Sequence, residues 1–94
     1  VQTGGVAGDS LAARRIGAIA FEVTNAHVDR AVLVEEDAIS QAQRRLWEDL
    51  RVVAEPGGAT ALAAVLGGAY RPEPGERVGV VVCGGNANLT ALQK

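Results

Sequence analysis

The run Val78-Gly79-Val80-Val81-Val82-Cys83, closed by Gly84-Gly85-Asn86, constrains the fold of this chain more than any other stretch. It has no polar alternation. A strand reads this way when both of its faces are covered, as they are where helices flank a parallel sheet. Gly84 and Gly85 end the run with residues that adopt positive φ and let a ligand approach the backbone N–H groups. In an open α/β sheet, ligands sit beyond the carboxyl ends of the strands. Cys83 stands at such an end, with the Asn86 amide just past it. The competing interpretation of the same residues is a plain buried strand followed by a glycine turn.

With 94 residues the chain makes one domain at most and is too short to complete a parallel sheet with helices on both faces. It starts at Val1 and contains no Met, so the expectation is a piece of a longer protein. A net charge of −2 and only three aromatic residues argue against nucleic-acid binding. Cys83 is the only cysteine and His27 the only histidine, which excludes an internal disulfide and a clustered zinc site and suits a reducing, cytosolic setting. The longest uncharged stretch, Pro56 to Tyr70, is shorter than a membrane span and holds four glycines, so no membrane partner is expected.

In chain order, the glycine-rich start through Ser10 reads as a loop. Ile16, Ile19, Ala20 and Val23 then predict a helix over Gly17 to Asn25, preceded by a weaker helical pattern from Leu11 to Ile16 and ended by Asn25-Ala26-His27. Ala31-Val32-Leu33-Val34 predicts a short strand. Glu35, Glu36 and Asp37 form an acidic first turn for an amphipathic helix whose stripe is Ile39, Ala42, Leu46, Leu50 and Val53, with Trp47 beside it as core or a subunit contact. Pro56 suits the first turn of a third helix, of small residues, through Leu66, which Gly67-Gly68 closes. Arg71 to Gly75 is a polar turn leading into the strand at Val78 to Val82. The order loop, helix, strand, helix, helix, strand defines an α/β fold, with helices packed on a parallel-sheet fragment.

Three segments, Asp37-Ala38-Ile39, Val53-Ala54-Glu55-Pro56-Gly57-Gly58-Ala59 and Cys83-Gly84-Gly85-Asn86, together resemble one family. They look like the C-terminal part of the pyridoxal-phosphate-dependent serine/threonine dehydratases, the fold-type-II group that includes threonine ammonia-lyase and serine racemase. The resemblance runs from about Gly8 to Asn88. It implies that residues 1–94 are the C-terminal portion of a tryptophan-synthase-β-like catalytic domain. Gly8-Asp9-Ser10 matches the family's Ala-Asp-Gly segment beside the cofactor, with Ser10 where many members have Gly.

The resemblance further implies that Cys83 hydrogen-bonds the pyridine nitrogen of pyridoxal 5'-phosphate, and that Gly84, Gly85, Asn86, Glu55 and Ser10 also belong to the cofactor site. A neutral partner at the ring nitrogen favours β-elimination of water from serine or threonine, giving a 2-oxo acid and ammonia. For Cys83 the alternative is an inert core thiol; for Glu55 it is a helix cap or dipole partner. The only lysine is Lys94, so no internal lysine can hold the cofactor covalently, and the family's Ser-x-Lys and glycine-rich phosphate segments are not in this sequence. No catalytic residue is therefore expected in this chain. The partners implied are the remainder of the cofactor domain or another copy of the chain, and a small amino acid as substrate. A non-catalytic interaction module derived from such a domain is the alternative.

Overall fold

A computed structural model describes residues 16–92. The expected helical pattern at 11–15 and the loop through Ser10 lie outside the described residues. The described chain forms α1 (Ala18–His27), α2 (Glu36–Leu50), α3 (Pro56–Leu66) and the short α4 (Leu89–Leu92).

α1 includes the Asn25-Ala26-His27 segment expected to end it, because helical bonding continues until the Val28 N–H donates to the Thr24 carbonyl at 2.9 Å. Its apolar spacing predicts a buried face, yet no residue of α1 is buried, and Ile19 is 81% exposed. A helical stripe is covered only when another element packs on it. Among the described residues none packs on α1.

α2 starts as its acidic turn predicts, with Glu36 and Asp37 at the positive end of the helix dipole. Ile39, Ala42 and Leu46 are buried, but the stripe stops one turn earlier than its spacing suggests. Arg51 adopts φ 55° and turns the chain, with the Arg51 N–H on the Trp47 carbonyl at 2.9 Å and the Val52 N–H on the Leu46 carbonyl at 3.0 Å. Leu50 is consequently left exposed, and Val53 lies half-buried beyond the helix. The Arg51 guanidinium folds back to donate to the Trp47 and Glu48 carbonyls and lies 5.4 Å from the centre of the Trp47 ring.

Pro56 occupies the first turn of α3, where its missing N–H has no helical partner to lose. The helix presents Ala59 and Ala63 to α2, and these small residues let the two helices close on Ile39, Ala42, Leu46 and Ala54, flanked by Val34, Ala38 and Leu62. Ile39 and Leu46 are the large side chains of this core, each contributing about 1.5–3 kcal/mol by burial.

The parallel-sheet fragment does not form among the described residues. Residues 31–34 and 78–82, both expected as strands, are not strands, and no backbone hydrogen bond among the described residues joins them. Val81 is 75% exposed, the reverse of the double-sided burial read from its run, and Leu33, in the run expected to be a buried or half-buried strand, is 95% exposed. β-propensity measures fit to a pleated neighbour, and a run with no neighbouring strand gains nothing from it. Both runs instead border α3: Val32, Val78 and Val80, together with Ala61, Ala64 and Val65, line a cavity of about 380 Å³. No described helix is long and apolar enough to cross a membrane.

Candidate functional site at the Cys83-Gly84 turn

The end of the apolar run docks on the start of α3. The Glu55 N–H, just ahead of the helix, donates to the Gly84 carbonyl at 2.8 Å. The Cys83 N–H points back to the Gly58 carbonyl at 3.4 Å, a long bond. Glu55-Pro56-Gly57-Gly58 and Cys83-Gly84, far apart in the sequence, thus become one unit joined by main chain.

Two glycines make this approach possible. Gly58 is buried, and a Cβ there would overlap the Cys83 carbonyl oxygen. Gly84 has φ +77°, which disfavours any side chain, and a Cβ on it would overlap the Glu55 carboxylate group. Glu55 therefore extends along Gly84. It makes no side-chain cap bond to α3, so its carboxylate is not engaged in the capping role that its position allows.

The Cys83 thiol is exposed, and around Gly85 the space is open, with no atom within 4 Å of a Cβ built there. Asn86 is exposed, the Ala87 N–H turns back to the Gly85 carbonyl at 2.9 Å, and Asn88 Oδ1 accepts the Thr90 N–H at 3.0 Å to cap α4. Of the residues singled out from sequence, Glu55, Cys83 and Gly84 are in contact, Gly85 and Asn86 follow on the open side, and Ser10 lies outside the described residues. His27 is exposed at the end of α1, as a surface histidine would be.

Two features were not anticipated. Gln43 is the one buried polar side chain among the described residues, and its Nε2 donates to the Ala54 carbonyl at 2.9 Å. The signal was present: Gln43 stands four residues after Ile39 and three before Leu46, on the buried stripe. The second is an exposed cluster beside the cavity. There the Arg30 guanidinium lies 5.1 Å from the centre of the Tyr70 ring, the Tyr70 hydroxyl donates to Glu76, and the Glu73 N–H donates to Glu76 Oε1 at 2.8 Å. The hydroxyl of Tyr70, then the Glu73 N–H, hold the Glu76 carboxyl below its ordinary pKa, and the same bond to Glu76 raises that of Tyr70. No spacing rule announces such a cluster. The described residues contain no group of His, Cys, Asp and Glu able to hold a metal ion.

The turn at Cys83-Gly84 docked on the helix start at Glu55 to Gly58 brings together two of the segments that carry the family resemblance. The chain belongs to the pyridoxal-phosphate dependent enzyme family, whose sequence profile matches residues 5–84. Within that family, the chain is 40% identical over 86 residues to a phenylserine dehydratase of Ralstonia pickettii, covering 92% of this chain and 26% of the relative. It is 32% identical over 80 residues to a serine racemase of Dictyostelium discoideum, covering 84% of this chain and 25% of the relative. It is 35% identical over 86 residues to an L-threonine ammonia-lyase of Thermotoga maritima, covering 92% of this chain and 21% of the relative. The chain thus spans about a quarter of the length of these relatives. No solved structure gives a significant match.

Proposed function

We propose that this chain is the C-terminal portion of the catalytic domain of a pyridoxal-phosphate-dependent serine/threonine dehydratase and forms the side of the site that faces the cofactor's pyridine nitrogen. The observation that carries this is the Cys83-Gly84 turn, fixed by main chain on one side and offering an exposed thiol on the other. That geometry fits the group. A flat ring needs an approach free of Cβ atoms, which Gly85 provides while the Cβ-free side of Gly84 is taken by Glu55, and its nitrogen needs a partner able to donate or accept, which the thiol supplies.

Cys83 would hold the ring nitrogen, Gly84, Gly85 and Asn86 would line the approach, Glu55 would back the turn, and Ser10 would join from the preceding segment. When bound, the cofactor supplies an electron sink for the carbon that loses its proton. The chain's contribution is to set how strong that sink is. A thiol is a neutral partner and does not hold the ring nitrogen protonated as a carboxylate would, so expulsion of a β-hydroxyl competes well with return of the proton. The substrate is a small hydroxy amino acid and the products are a 2-oxo acid and ammonia, in line with the names of the dehydratase and ammonia-lyase relatives. The amine that bonds the cofactor would come from the remainder of the domain, because the one lysine here is Lys94.

Substitution at Cys83 in the assembled enzyme tests this. Cys83→Ser keeps a neutral partner and is expected to hold elimination within about tenfold, a barrier change of roughly 1.4 kcal/mol. Cys83→Asp is expected to slow elimination and raise α-proton exchange or racemisation, and Cys83→Ala to weaken cofactor retention without unfolding. If all three match the parent in cofactor absorbance and elimination rate, the assignment fails. One observation favours a second reading, a non-catalytic interaction module: α1 leaves Ile19 and Val23, one turn apart on the same face, exposed. Cofactor binding by the assembled protein decides between the two.

A further inference from the structure

We propose that Gln43 is a positioning residue for the Cys83-Gly84 turn, acting from the far side of the core. Gln43 lies within the buried stripe of α2 at 8% exposure, where an amide is costly unless its polar atoms are satisfied. An apolar residue would fill the position at lower cost. What the amide does is specific: Nε2 donates to the carbonyl of Ala54, itself fully buried, at 2.9 Å. Ala54 immediately precedes Glu55, whose N–H bonds the Gly84 carbonyl at 2.8 Å.

A continuous set of contacts therefore leads from the middle of α2 to the turn: Gln43 side chain, Ala54 carbonyl, Glu55 N–H, Gly84 carbonyl. The segment between α2 and α3 has no helix of its own at residues 51–55. It is held at its start by the Val52 N–H on the Leu46 carbonyl and near its end by Gln43. Without the Gln43 bond, the Glu55 peptide can shift relative to α2, and the turn that docks on it shifts as well. The consequence for the cofactor rests on the function proposed above; the positioning of the turn does not.

Amide hydrogen exchange on the full chain separates positioning from general packing. Gln43→Met keeps the size and removes the donor. Exchange at the Glu55 and Cys83 amides is expected to rise at least about tenfold, while Leu46 in α2 and Ala63 in α3 change by less than about threefold. Gln43→His, whose Nε2–H reaches about as far, is expected to restore protection at Glu55. Unchanged exchange at Glu55 and Cys83 overturns the proposal, and so does an equal loss of protection along α2 and α3, which marks a packing role. Titration of the assembled protein with pyridoxal 5'-phosphate is read separately. Local loosening in Gln43→Met with unaltered cofactor affinity supports the positioning role and counts against the cofactor reading of the turn.

Discussion

Replacing Gly58 by alanine probes the docking of α3 on the turn directly, because in most helices the same change is stabilising. Alanine is favoured over glycine in a helix interior by up to about 1 kcal/mol. Here the new methyl would overlap the Cys83 carbonyl oxygen and lie 2.5 Å from the Cys83 carbonyl carbon. Both neighbours are backbone, so relief requires the turn and the helix start to part. Separation forfeits the bonds from Glu55 to Gly84 and from Cys83 to Gly58, together about 2 kcal/mol net. Residual crowding adds about 1–3 kcal/mol. Against the propensity gain, the net loss is about 3 kcal/mol, roughly a hundredfold in the ratio of folded to unfolded protein. Urea unfolding followed by Trp47 fluorescence gives the number, and the slope with denaturant checks that the unfolded reference is unchanged. A Gly58→Ala protein as stable as the parent, or more so, refutes the docking, since the methyl would then have found space that this packing lacks.

Gly85→Ala serves as a contrast, because nothing lies within 4 Å of the added Cβ; its unfolding free energy should stay within about 0.5 kcal/mol of the parent. Arg51→Ala keeps the positive φ but loses the guanidinium's bonds to the Trp47 and Glu48 carbonyls and its stacking on Trp47, and thermal unfolding should show a loss of about 1 kcal/mol. Arg51→Gly relieves the backbone in exchange and should fall closer to the parent. Tyr70→Phe should return the Glu76 carboxyl toward its ordinary value of 4.5 in a side-chain NMR titration. Because the Glu76 pKa is lowered on folding, its contribution to stability is fully present above that ordinary value and disappears as pH falls through the folded one, so the parent and Tyr70→Phe should converge in stability in acid.

The two long helices were legible from sequence because their signals are local. Glu36 and Asp37 mark one start and Pro56 the other, and the Ile39, Ala42, Leu46 stripe is buried where its period puts it. The end of α2 was misplaced because the left-handed turn at Arg51 carries no glycine to announce it. The strands were read from composition, which specifies the neighbours a segment needs and not whether they are present; Leu33 and Val81 are exposed for want of them among the described residues. At the site, the sequence named both motifs, but their contact depends on Gly58 meeting the main chain of Cys83, a tertiary event with no local pattern. Gln43 is polar like Arg44 and Arg45 beside it, and only its position on the stripe distinguishes it from them.

The join between α3 and the turn is made by main chain: the Cys83 N–H on the Gly58 carbonyl, the Glu55 N–H on the Gly84 carbonyl, and the Cys83 carbonyl against the Gly58 Cα, with the thiol taking no part in it. Under the proposed cofactor role, architecture and chemistry would therefore be written on different atoms of the same residue. A hydroxyl, a thiol or a methyl could replace one another at position 83 by a single codon change without reopening the interface beneath. Selection can retune the group presented at this turn while the fold registers nothing, whereas Gly58, which presents no side chain at all, has no such freedom.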